Sequence, residues 1–147
     1  MGLRDFLSQH SGATTENPLS VEIAAWQAAV GALVERFRAQ LSSYEKLQLL
    51  PWNVLREHRG VRYNAQALTI EFGEAVITLE PVAIKPEAGL LGRASLNCGV
   101  RQIYCDCNGD AQLWRYRWVI PHDPADAELT GQAIELLVEE LLKSSAG

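Results

Sequence analysis

The stretch that decides the fold runs from Leu96 to Ile120, LNCGVRQIYCDCNGDAQLWRYRWVI. Asn108-Gly109 stands between two alternating runs. An Asn-Gly pair suits the positive φ that both central positions of a type I′ turn require, so the stretch reads as a β-hairpin with a two-residue loop. That loop sets Cys107 opposite Asp110, Cys105 opposite Gln112, Ile103 opposite Trp114 and Arg101 opposite Tyr116. Alternation then places Ile103, Cys105, Cys107, Trp114, Tyr116 and Trp118 on one face, and Gln102, Tyr104, Arg115 and Arg117 on the other. The aromatic face is expected to be the one that meets helices, because leaving it wet would expose an apolar patch of several hundred Å².

Outward from the hairpin, the chain reads as helix, helix, strands, helix. Asn17 and Pro18 form an N-cap followed by proline at the first helical position. Apolar residues then recur at 19, 23, 26, 30, 33, 37, 41 and 44 in steps of three and four. Ser42-Ser43 is a bend point, and Pro51 ends the helix near Leu49. PWNVLREHRG (51–60) reads as a further helical turn or two closing at Gly60. The period then changes to two at Leu68, Ile70 and Phe72. Gly73-Glu74 makes a tight connection, Val76 to Ile84 continues as a strand with Pro81 at an edge or bulge, and 85–92 is a loop. Asp123-Pro124 repeats the cap-and-proline device and opens the last helix. Its polar stripe is Glu128, Gln132, Glu135, Glu139 and Lys143; its apolar side is Leu129, Ala133, Leu136, Leu137 and Leu141. Residues 1–17 form a flexible arm and linker with Leu3, Phe6 and Leu7 at helical spacing, and 18–147 form one domain. The fold expected is an α+β two-layer sandwich. A four-stranded antiparallel meander is covered on one face by the long N-terminal helix and the C-terminal helix.

Composition narrows the function classes. The chain has 147 residues, 48% hydrophobic and 21% charged, which is the balance of a globular domain. No apolar run approaches the ~18 residues of a membrane span, and the first residues lack a secretory h-region. Three cysteines, an odd number, argue for a reducing compartment, with cytoplasm expected. The net charge of −5 lies entirely beyond residue 122, where six acids meet one base, Lys143. An acidic chain with no basic stripe is not expected to bind nucleic acid.

Candidate chemistry is sparse. Cys98-x6-Cys105-x-Cys107 lacks the knuckle spacing of a zinc site and reads as small buried residues beside Trp114. No metal and no cofactor is expected. There is no phosphate loop or nucleophile elbow: Ser95 sits in GRASLN, and His122 precedes the Asp123 cap. Arg115 and Arg117 could offer an acidic partner a stacked face with Tyr104. The densest basic patch is Arg56, His58, Arg59 and Arg62. It could hold a carboxylate or phosphate bidentately, with Trp52 and Tyr63 beside it. The bland account is a solvated helix end.

The reading is a non-enzymatic binding, adaptor or chaperone-like domain acting through protein contacts. The alternative is an anion-binding or enzymatic domain with a pocket near the Arg56–Arg62 cluster. A homodimer through the 19–44 helix is expected on geometric grounds. Twenty-six helical residues rise about 39 Å, longer than a strand of seven to nine residues can cover, which leaves some of Leu19, Ile23, Trp26 and Val30 in need of another cover.

Overall fold

In a computed structural model that describes residues 18–108 and 113–146, the chain folds as two helices on one face of a seven-stranded antiparallel sheet. Helix α1 spans Pro18–Leu41. The strands are β1 (Gln48–His58), β2 (Val61–Phe72), β3 (Ala75–Ile84), β4 (Gly92–Cys98), β5 (Arg101–Cys107), β6 (Trp114–Ile120) and β7 (Ala127–Glu128). Helix α2 spans Gly131–Ala146. Every strand pairs with its neighbour in sequence, so sheet order equals chain order. The α+β class, the antiparallel sheet and the helix-on-sheet packing are as the sequence implied; the strand count is seven, not four. The N-terminal arm, the Asn17 cap and the Gly109-Asp110 part of the expected turn lie outside the described residues.

The largest correction concerns 51–60, expected as helix. It belongs to β1, the first strand of a long hairpin with β2. Arg59 (φ 50°) and Gly60 (φ 83°) form its two-residue turn, with His58 opposite Val61. Two positive φ values are the type I′ signature. The signature expected at Asn108-Gly109 is thus met at Arg59-Gly60, and Gly60 ends no helix. Pro51 also changes meaning. The pair flanking a two-residue hairpin turn is hydrogen-bonded, so even positions of β1 bond to β2 and odd positions direct their backbone groups to the open edge. Pro51, which has no N–H, occupies an odd position, where the β1–β2 ladder loses nothing.

The β5–β6 hairpin shows a different correction. Cys107 pairs with Trp114, Cys105 with Tyr116 and Ile103 with Trp118. The register lies four residues from the one a two-residue loop would set. A shift by an even number keeps every side chain on its expected face. Trp114 is fully buried, and Tyr116 and Trp118 pack half-buried against the core. Upstream, Gly99 (φ 60°) and Val100 turn the chain between Cys98 and Arg101, splitting β4 from β5. Gly73-Glu74 makes the expected tight turn between Phe72 and Ala75.

β2 and β3 pair only from Leu68–Leu79 outward to the turn. Beyond that they part, and the β3–β4 register shifts between Pro81 and Ala83. Arg56 reaches into this gap: its Nε donates to the Pro81 carbonyl at 3.0 Å, and its Nη2 lies 3.4 Å from Glu80 Oε2.

α1 ends at Leu41 rather than near Leu49, and Ser42 Oγ donates to the Ala39 carbonyl just past its end. The last helix opens at Gly131, not after Asp123. Asp123 instead accepts from the Ala125 amide at 3.0 Å in a local turn, and the cap is Thr130, whose Oγ1 accepts from the Ala133 amide at 3.1 Å. One contiguous core lies between the helices and the sheet. Trp26 is tilted over Trp114 at 5.8 Å and 43°, and Leu33, Phe37, Leu68, Leu96 and Ile103 belong to the same core. Ile23, Trp26 and Val30 are buried within one chain. That cover removes the geometric ground for a dimer through the 19–44 helix.

Candidate functional site

The apolar side expected for the last helix contains Leu136, yet Leu136 is 54% exposed. Helix α2 buries Ala133, Ile134, Leu137, Val138 and Leu141 against the core, so its apolar arc is wider than the sheet layer can cover. Leu136 stands on the flank of that arc. Tyr44, 48% exposed, and Phe72, 43% exposed, stand with it.

These side chains line a cleft of about 940 Å³ between α2 and the 42–47 connection. Leu41 and Leu47 come from the first side, Phe72 from the end of β2, and Leu136, Val138 and Leu142 from α2. Two backbone bonds shape the connection: the Tyr44 amide donates to the Leu41 carbonyl at 3.1 Å, and the Leu47 amide to the Tyr44 carbonyl at 3.0 Å. Glu135 then locks the wall. Its carboxylate accepts from the Tyr44 hydroxyl and from Gln40 Nε2. That carboxylate raises the Tyr44 phenol above its usual pKa. Arg36 donates to the Leu129 carbonyl at 2.6 Å, fixing the approach of α2 to α1. Glu45, Lys46, Glu139 and Lys143 stand at the rim, with Glu139 and Lys143 paired at 3.1 Å. The volume is at the upper end of the ~300–1,000 Å³ of small-molecule pockets. Its wall is mostly hydrocarbon with a polar rim, an arrangement that suits an apolar side-chain row.

No protein family, curated protein or solved structure matches this chain.

The residues singled out from the sequence all lie on the β1–β2 hairpin, but they do not converge on one pocket. Trp52 is itself exposed, its indole N–H donating to Thr69 Oγ1 at 3.0 Å. Arg56 bridges Pro81 and Glu80 as described. His58 Nε2 lies 2.8 Å from Glu22 Oε2, and Lys85 Nζ 2.6 Å from Glu22 Oε1. Tyr63 is buried, and burial raises its phenol. Arg59 and Arg62 are exposed at the hairpin tip, with no ion pair to either among the described residues.

Lys85 and His58 together hold the Glu22 carboxyl down to about 2. A depressed carboxyl stabilises the fold fully above its ordinary value near 4.5, and that contribution is lost as pH falls from 4.5 through about 2. Glu22→Gln should therefore lower the urea midpoint at neutral pH, and its gap from wild type should narrow as pH is lowered across that window. A gap constant with pH would mean that the carboxylate's charge plays no part.

The opposite sheet face is as expected for Gln102, Tyr104, Arg115 and Arg117, and much of its charge is paired within the face. Arg93 holds Asp106 through Nε at 2.7 Å and Nη2 at 3.1 Å, and its guanidinium lies 4.4 Å over the Tyr104 ring. Arg117 covers the same ring at 5.4 Å, and Arg115 holds Asp126 at 3.0–3.1 Å. All three thiols are buried, and burial pushes Cys105 up to about 12. Among the described residues no group of three His, Cys, Asp or Glu is placed to hold a metal, and no helix is long and apolar enough to cross a membrane.

Proposed function

We propose that this chain is a non-enzymatic adaptor domain whose cleft beside α2 receives an amphipathic helix of a partner protein. The observation that carries the reading is Leu136, exposed together with Tyr44 and Phe72 along one continuous apolar trough. Apolar surface collected in a groove and rimmed by polar groups is the pattern of helix-in-groove recognition. The trough follows α2 from Gln132 to Lys143, about 18 Å or three turns, which matches a partner presenting side chains at i, i+3, i+4 and i+7. The cleft is lined by Glu45, Glu135 and Glu139 against Lys46 and Lys143, and Glu128 and Glu140 add further acid on and just before α2. That balance favours a partner helix with Lys or Arg on its flanks and disfavours a second, equally acidic copy.

The test uses a labelled amphipathic Leu/Lys helical peptide, its Leu/Glu counterpart, and fluorescence anisotropy. The Leu/Lys peptide should bind the wild type more tightly than the Leu/Glu peptide, and Leu136→Glu should abolish binding with little change in melting temperature. Equal binding of both peptides, or binding that survives Leu136→Glu, would defeat the proposal. So would a doubled mass in light scattering that Leu136→Glu returns to 16.2 kDa, since a second copy would then fill the cleft.

A further inference from the structure

We infer that the 44–47 turn is the selectivity element of the cleft. Its two corners, Glu45 and Lys46, accept a partner helix that carries one basic and one acidic side chain a turn apart, and they fix which way round that helix lies. This rests on the helix-in-cleft reading above. A helix read by its summed charge alone could bind in either direction. A helix read by two neighbouring charges of opposite sign could not.

The turn is built to hold those charges in place. The Leu47 amide donates to the Tyr44 carbonyl at 3.0 Å, which closes a four-residue β-turn with Glu45 and Lys46 at its central positions. The turn before it is closed in the same way, from the Tyr44 amide to the Leu41 carbonyl at 3.1 Å. The Tyr44 hydroxyl then ties the connection to Glu135 of α2. Glu45 and Lys46 are exposed, and both line the cleft.

The other charges of the lining are occupied. One oxygen of Glu135 accepts from Tyr44 and the other from Gln40. Glu139 faces Lys143 at 3.1 Å, one turn along the same helix. Among the described residues Glu45 and Lys46 have no ion pair or side-chain hydrogen bond, so theirs are the lining charges left for an occupant. Consecutive Cα atoms lie about 3.8 Å apart. Side chains at i and i+4 of a helix start about 5–6 Å apart, a difference that long side chains absorb. A Lys and a Glu at that spacing on the partner's flank meet both corners at once, whereas two lysines would set one against Lys46.

The test uses two helical peptides of one composition: an apolar Leu stripe, Gln flanks and a single charged pair. The pair is ordered Lys-x3-Glu in one peptide and Glu-x3-Lys in the other. Fluorescence anisotropy at low salt gives the ratio of their affinities for the wild type and for Glu45→Lys/Lys46→Glu. The exchange keeps composition, net charge and exposed turn positions. Comparing the same two peptides on both proteins also cancels their own difference in helicity. The ratio should change by about tenfold or more on exchange. The neutral variant Glu45→Gln/Lys46→Gln should give a ratio between the two, and it reports even if the exchanged protein fails to fold. In about 1 M salt the ratios should converge, because the Debye length falls to about 3 Å. Glu139→Gln/Lys143→Gln should leave the wild-type ratio as it was. A ratio unchanged by the exchange, or one that collapses with Glu139→Gln/Lys143→Gln instead, would overturn the inference and leave the helix in the cleft. Failure of both peptides to bind, or binding that Leu136→Glu does not remove, would defeat the helix-in-cleft reading and this inference with it.

Discussion

Trp26→Ala should lower the unfolding free energy by about 3–5 kcal/mol, the usual loss for truncating a large buried aromatic. Trp26 is wholly buried at the centre of the helix–sheet contact, tilted over Trp114 at 5.8 Å. Its removal deletes that ring pair and leaves a cavity that Leu33 and Phe37, fixed on the same helix, cannot fill. Domains of this size have total stabilities of about 5–15 kcal/mol, so the loss is about a fifth or more of the whole. Urea unfolding with an unchanged m-value measures it. A loss under about 1 kcal/mol would show that α1 is not seated on the sheet as described.

Gly92→Ala should cost about 1–3 kcal/mol for the converse reason, overpacking. A Cβ at Gly92 would stand 2.3 Å from Cε3 and 2.5 Å from Cζ3 of Trp26. The ring belongs to a rigid, fully buried side chain and has nowhere to go. Gly92 begins β4, opposite Ile84 on one side and Cys107 on the other, so the backbone cannot retreat without disturbing two ladders. The two substitutions should be strongly coupled. With the Trp26 ring gone, Gly92→Ala should cost little, giving an interaction energy of about 0.5–3 kcal/mol in a double-mutant cycle. Simple additivity would mean that the penalty at Gly92 does not come from the indole.

Parts of this fold were legible because a physical period enforced them. The α1 stripe at 23, 26, 30, 33, 34, 37 and 41 is buried as helical spacing requires. The β5–β6 faces held although the register moved, because the error was four residues and a pleat repeats every two. β1 was illegible for an equally physical reason. An edge strand exposed on much of both faces needs no alternation, so PWNVLREH showed no period of two, and Pro51 with Gly60 imitated helix punctuation. The type I′ turn at 59–60 carries Arg in its first positive-φ position, where Asn or Asp is the usual signal. Conversely, Asn108-Gly109 falls in a connection six residues long, where the dipeptide no longer dictates the pairing. Asp123 misled through a real affinity for turn amides; it caps a turn seven residues short of the helix that Thr130 caps.

The candidate sites divide in the same way. The basic cluster was visible as composition, yet two of its members, Arg56 and His58, already have acids beside them from β3 and α1, partners far away in sequence. The cleft was missed, although its signal lay in plain view: Leu136, Leu137, Val138, Leu141 and Leu142 make an apolar arc too wide for a helix that covers a single surface.

Sheet order that repeats chain order also bears on how the molecule is made. As the chain leaves the ribosome, each new strand finds its partner in the segment synthesised just before it, across connections short enough to close quickly. α2 reaches back furthest along the chain, joining Glu135 to Gln40, with Leu129 just before it joined to Arg36. By then the sheet already holds the intervening residues in a compact scaffold, so the entropy of that long closure is largely spent. The sixteen-residue helix α2 is therefore a latch that closes on a sheet already formed. Until it docks, Cys98, whose Sγ lies 3.8 Å from the Leu141 carbonyl, lacks its final cover.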